Sequence, residues 1–188
     1  MVERVSPRNF HELDGVGDWR ILFGGATAYF VTGTFAKGVE LVDAIVRLAA
    51  AANHHPDVDL RYAGVRVTLL THEIGEISDR DVALAQQISV VARELGISAD
   101  PSKAQVMQVS IDATDIATLR PFWSAVLGYD ELGDEDVVDP LGLGPVVTFQ
   151  QMDEPRPRRN RLHIDVSVPR DQVEQRIVAA LAAGGHLV

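Results

Sequence analysis

Asn53-His54-His55-Pro56, answered by His72 and then by Ser78-Asp79-Arg80-Asp81, is the stretch around which this sequence is organised. Three of the chain's six histidines fall inside it. Imidazole, with an unperturbed pKa of about 6.5, both gives and takes protons near neutrality. Adjacent histidines point to different faces of any regular element. A site closed around a small ligand therefore needs a third from elsewhere, and His72 supplies it. Pro56 cannot continue the helix that the preceding alanines imply, so His54 and His55 are expected at or just past a helix end.

From Tyr62 to Thr71 the apolar residues alternate. Val65, Val67 and Leu69 share one face of a predicted strand, and Arg66, Thr68, Leu70 and His72 share the other, with His72 at the strand's end. Ser78 and Asp81 then read as a capping box that opens the next helix, a role that accounts for Asp81 without any ligand. A single histidine at a helix end is usually a cap or a surface residue. Three at this spacing point to a site, suited to acid/base chemistry or to zinc ligation.

The order His-His-Pro, an aromatic at Tyr62, Thr71-His72-Glu73, then Ser78 and Asp81 resembles the pterin carbinolamine dehydratases. The resemblance covers roughly residues 1 to 97. It implies a hydro-lyase without cofactor or metal that converts 4a-hydroxytetrahydropterin to quinonoid dihydropterin. By position, His54 and His72 would be the general acid/base pair and His55 would help hold the pterin. Tyr62, Thr71, Glu73 and Asp81 would contact the substrate. The family usually carries an acidic residue four positions before the first histidine, where this chain has Ala50. The loss removes a possible orienting partner, so Ala50→Glu is expected to raise activity.

At 188 residues the chain is long enough for one large domain or two small ones, and 46% hydrophobic content is ordinary for a folded protein. The net charge of −10 divides evenly. Residues 1–100 carry 9 basic and 14 acidic groups and residues 101–188 carry 8 and 13, which is −5 each. Neither half suits a phosphate backbone, so no nucleic-acid partner is expected. Absence of cysteine excludes disulfides, thiolate nucleophiles and thiolate metal sites. No signal pattern and no apolar run near the ~20 residues that span a bilayer are present, so a cytoplasmic protein without membrane contact is expected.

Ser6-Pro7 opens a short helix to about Leu13. Trp19–Phe23 and Ala28–Thr32 read as strands joined at Gly24-Gly25. Thr34 caps a helix carrying Phe35, Val39, Val42, Ile45, Val46 and Ala49 at the 3.6-residue period. A last helix holds Val82, Ala85, Ile88, Ala92 and Leu95 inward and ends at Gly96. The expected fold class is α+β, an antiparallel sheet with helices on one face.

Asp100-Pro101-Ser102 marks an expected boundary between domains at 1–100 and 101–188. Beyond it come a strand at Ala104–Asp112 and a helix with Leu119, Phe122, Trp123 and Val126. Pro121 is expected in that helix's first turn, giving a start near Thr118. An acidic loop from Asp130 to Gly144 leads to a strand at Val146–Gln150. A Pro/Arg-rich linker at Glu154–Asn160 precedes a strand at Leu162–Val168 and a helix at Asp171–Ala183. Phe122-Trp123…Leu127-Gly128-Tyr129, with Arg161-Leu162-His163-Ile164-Asp165 opening a second unit, resembles the glyoxalase-like, vicinal-oxygen-chelate domains. Those close two βαβββ modules around one site, and here the second module is incomplete by analogy.

By position Gln108 and His163 match two metal ligands of that family, but the carboxylate is missing from Phe149-Gln150-Gln151. Polar lining of a cavity, with no bound metal, is the expected role of Gln108 and His163. The alternative functions are a pterin-binding or dimerisation protein whose chemistry has weakened, and a chain whose main activity lies in its second half. Unpaired edges and the apolar stripe Val173-Ile177-Leu181 point to a homo-oligomer, a homodimer or homotetramer.

Overall fold

The computed structural model describes residues 2–154, 162–182 and 187. Its contacts divide into two compact units, Met1–Gln105 with Val168–Val188, and Val106–Ser167.

In the first unit, Ser6 caps helix α1 (Pro7–Glu12) by accepting from the Asn9 amide. Strands β1 (Arg20–Leu22) and β2 (Gly25–Val31) form a hairpin, and helix α2 (Phe35–Ala52) follows from a Thr34 cap. A second hairpin, β3 (Asp57–Arg61) and β4 (Gly64–Leu69), leads to helix α3 (Asp79–Glu94) and the two-residue strand β5 (Ser98–Ala99). The strand order is β1-β2-β4-β3, all antiparallel, with β5 added to β2. The alternation read from the sequence holds: Val65, Val67 and Leu69 are fully buried. They meet Phe30 of β2, Leu41 and Ile45 of α2, and Ala85 and Ile88 of α3 in one apolar core. This is the α+β class expected, an antiparallel sheet with helices on one face.

The first unit differs from expectation in two places. The segment before Tyr62 is also a strand: Val58 and Leu60 alternate with Asp57 and Asp59, and β3 pairs with β4 from Asp57↔Thr68 to Arg61↔Gly64. In addition, β4 stops at Leu69, so His72 lies in a turn and does not end a strand. The cause is local pairing, in which the Thr71 amide donates to Glu76 O (3.1 Å) and the Ile74 and Gly75 amides donate back to Thr71 O. The turn is tied from outside by the chain's first residues, where Val5 N–H donates to Ile77 O and Arg4 pairs with Glu76.

The second unit consists of β6 (Val106–Ala113), α4 (Ile116–Leu127), β7 (Asp130–Leu132), β8 (Asp136–Val138), β9 (Val146–Gln151) and β10 (Leu162–Ser167). Its sheet order is β10-β6-β9-β8-β7, with β6 and β9 parallel and the remaining pairs antiparallel. The first five of these elements make one βαβββ module, and β10 adds to its edge. Val137, Val147 and Phe149 form the core under Leu119 and Trp123 of α4.

Two readings of this half are corrected. The acidic stretch from Asp130 contains the β7–β8 hairpin. Helix α4 begins at Ile116, because Asp115 caps it by accepting from the Thr118 amide (3.1 Å), so Pro121 sits in the second turn. The expected linker, Glu154–Asn160, lies from residue 155 onward outside the described residues. Helix α5 (Val173–Ala182) follows a 3₁₀ turn whose Asp171 pairs with Arg20 (2.7 Å), which holds that carboxyl below its ordinary value. No helix among the described residues is long and apolar enough to cross a membrane.

Candidate functional site

The end of α2 is made by Asn53, which adopts the left-handed conformation (φ 47°), while the amide of His54 donates to Ala49 O (3.1 Å). Asparagine tolerates this conformation better than other residues with a Cβ, and it reverses the chain within one residue. The turn sends His54 inward and leaves His55 exposed.

His54 is only 8% exposed, and its Nε2 lies 2.7 Å from Oδ1 of the fully buried Asp81. The other oxygen, Oδ2, accepts from Thr71 Oγ1 (2.6 Å) and from the Ser78 amide (2.8 Å), with Ser78 Oγ at 3.2 Å. Thr71 Oγ1 and Ser78 Oγ are themselves 2.6 Å apart. One carboxylate therefore does two jobs. Through Oδ2 it completes the capping box of α3, and through Oδ1 it holds His54. Burial strengthens each of these hydrogen bonds and makes the loss of any one costly.

The β3–β4 register places the remaining residues. Because Asp57 pairs with Thr68, the segment carrying His54 and His55 enters the sheet beside the end of β4, from which Thr71 and His72 depart. His55 and His72 are both exposed and take no side-chain hydrogen bond among the described residues. Glu73 is exposed and pairs with Arg80 (3.3 Å). Tyr62, 73% exposed, lies in the turn at the opposite end of the hairpin. The five residues of β3 separate it from His55 and His72 by roughly 17 Å at ~3.3 Å per residue, so it is not brought to the histidines. Thr71 and Asp81 are buried and bonded to each other, which sets them behind His54 and not at a surface that a substrate reaches. Ser78, read from sequence only as a cap, is the member of this network that the motif hid. Ala50 is exposed on α2, and the carboxylate on His54 comes from α3 instead.

In the second unit, Gln108 donates to Thr148 Oγ1, which donates to Asp136 Oδ1 (2.6 Å). Ser110 donates to Asp165 (2.6 Å), and His163 stands opposite Ser110 in the β10–β6 register. Among the described residues no group of three histidines or carboxylates is arranged to hold a metal ion. Asp139 braces the 139–144 loop by accepting from the amides of Leu141, Leu143 and Gly144. These bonds, that of Leu141 first, hold its carboxyl below the ordinary value.

Residues 6–91 match the family described as pterin 4 alpha carbinolamine dehydratase, and residues 108–188 match a glyoxalase-like domain. A protein of Aquifex aeolicus named "Putative pterin-4-alpha-carbinolamine dehydratase" is 33% identical over 96 residues, which is 50% of this chain and 97% of that protein. One of the same name from Chloroflexus aurantiacus is 36% identical over 74 residues, 39% of this chain and 80% of that protein. A crystal structure described as a transcriptional coactivator/pterin dehydratase from Brucella melitensis is 25% identical, with a TM-score of 0.43, over 48% of this chain and 99% of that one. With a relative 33% identical over 97% of its own length, this chain belongs to the pterin carbinolamine dehydratase family, and its residues 108–188 match a glyoxalase-like domain.

Proposed function

We propose that the chain dehydrates a 4a-hydroxytetrahydropterin to the quinonoid dihydropterin by histidine general acid/base catalysis. The observation that carries the reading is the buried His54–Asp81 pair at 2.7 Å, at the end of the hairpin from which His55 and His72 emerge. The reaction breaks the C4a–O bond and takes a proton from the adjacent ring nitrogen, whose N–H electrons become the new C=N bond. His72, as imidazolium, protonates the departing hydroxyl so that it leaves as water. His54, neutral and backed by Asp81, accepts the ring proton. Exposed His55 holds the pterin. Tyr62 and Glu73 take no part in this scheme, and Thr71 and Asp81 act behind His54. Each positioned acid or base typically contributes about 10²- to 10⁴-fold.

The first test follows freshly generated 4a-hydroxytetrahydropterin by its ultraviolet absorbance. Purified protein is expected to speed its decay, and His72→Ala to remove most of the acceleration. A decay rate equal to the spontaneous one would overturn the enzyme reading in favour of a pterin-binding or dimerisation protein.

We take residues 1–100 and 101–188 as the two functional pieces, working in the cytoplasm. We further propose a homodimer or homotetramer. Phe35 (51%), Val39 (46%) and Val46 (58%) are exposed on α2, and Val173, Ile177 and Leu181 are about two-fifths exposed on α5 (40%, 39% and 41%). Apolar faces of this kind are commonly covered by a second copy. Light scattering at micromolar concentration should give at least twice the 20.5 kDa chain mass, and a monomer there would refute it.

A further inference from the structure

The hydroxyls behind Asp81 can be assigned donor by donor. Thr71 Oγ1 has one proton and places it on Asp81 Oδ2 (2.6 Å), while the single proton of Ser78 Oγ has two acceptors in reach, Thr71 Oγ1 (2.6 Å) and Asp81 Oδ2 (3.2 Å). Ser78 Oγ in turn accepts from the Arg80 amide (3.2 Å). With the Ser78 amide also on Oδ2, that oxygen is an acceptor with its lone pairs filled, and Oδ1 is left for His54 alone. A carboxylate that accepts on both oxygens requires the facing ring nitrogen to donate. His54 Nε2 therefore carries the proton, and Nδ1 is the basic nitrogen. Nδ1 takes no partner among the described residues, yet the one buried side-chain nitrogen or oxygen left unpartnered among them is Arg120 Nε. His54 Nδ1 is thus not fully enclosed, although the residue as a whole is only 8% exposed, and a ligand proton can meet it there.

We propose that Thr71 is a positioning residue that acts through Asp81 to keep His54 in the Nε2–H tautomer with Nδ1 open to the ligand. Asp81 can turn about its terminal torsion, and the directional bonds from Thr71 and the Ser78 amide fix which oxygen faces the histidine. Removing the Thr71 donor frees that torsion while keeping the volume filled. The inference rests on the dehydratase reading for its catalytic meaning, whereas the tautomer itself can be read without any substrate.

The experiment uses the full chain labelled with ¹⁵N-histidine, with the His54 signals assigned by their loss in His54→Gln. The wild type is expected to show a single Nε2–H tautomer at His54. Thr71→Val should show a mixture of tautomers, with kcat down by about tenfold, KM within about twofold and an altered pH–rate profile. Thr71→Ser, which restores the donor, should recover both the single tautomer and the rate. A Thr71→Val protein with an unmixed Nε2–H tautomer and an unchanged pH–rate profile overturns the inference. If the wild type speeds no dehydration but Thr71→Val still mixes the tautomers, the positioning stands and only the dehydratase reading fails.

Discussion

Replacing Asp81 by asparagine is expected to lower the kcat of dehydration by on the order of 10²- to 10⁴-fold, about as much as His54→Ala itself. Asparagine has nearly the same shape but only one acceptor oxygen. If that oxygen faces Thr71 and the Ser78 amide, the new NH₂ group points at His54 Nε2, now 2.7 Å from Oδ1, and forces the opposite tautomer. If the oxygen faces His54, the NH₂ group meets donors on the other side and the capping box is broken. Either arrangement leaves a buried donor unpaired, at about 1–3 kcal/mol, so the urea midpoint should fall together with the rate. Steady-state kinetics on folded protein, checked by near-ultraviolet circular dichroism, separates the two effects. Dehydration by Asp81→Asn at the wild-type rate would remove Asp81 and its partner from the mechanism. Ala50→Glu, read from the sequence as an improvement, is now expected to leave kcat within about twofold, because Asp81 already orients His54.

The parts of the site legible in the sequence are those governed by backbone rules. Pro56 and the alanines before Asn53 located the helix end, and the alternation of Val65, Val67 and Leu69 fixed the core face of β4. Ser78 and Asp81 announced the N-terminus of α3. The sequence does not reveal that Asp81 has an oxygen to spare. A capping box uses one carboxylate oxygen, and only the packing of α2 against α3 brings His54 to the other. The position of His72 was hidden for a similar reason. Leu70 prolongs the apolar pattern beyond the last ladder bond, and the chain leaves the sheet because Thr71 bonds to Glu76 within its own turn. In the second unit the short strands β7 and β8 lie among acidic and glycine residues that are poor strand formers. β8 is held by pairing with β9 and by the buried side chain of Val137, and β7 by pairing with β8, and not by their own propensity.

Trp19→Ala is expected to cost about 3–5 kcal/mol, a large part of the stability of a domain this size. The indole is fully buried and sits edge-on to Phe30 of β2, with ring centroids 6.1 Å apart. Its Nε1 donates to Ala85 O (3.2 Å) and Ser89 Oγ (3.0 Å), both on α3, so one side chain ties that helix to the sheet. Trp19→Phe keeps much of the apolar surface but leaves the buried Ser89 hydroxyl without its donor. Its cost should be smaller, about 1–3 kcal/mol. Urea unfolding followed by circular dichroism gives both values, since an m-value of about 1–3 kcal/mol/M turns the larger loss into a midpoint shift of a molar or more. The consequence for catalysis follows from position. Asp81 stands at the first turn of α3, and Trp19 grips the same helix about one and two turns further along. At temperatures where Trp19→Phe remains folded, its kcat should stay close to that of the wild type, because the capping box still fixes Asp81. A loss below about 1 kcal/mol in Trp19→Ala would mean that α3 is held by its apolar face alone, and the His54–Asp81 contact would then owe nothing to Trp19.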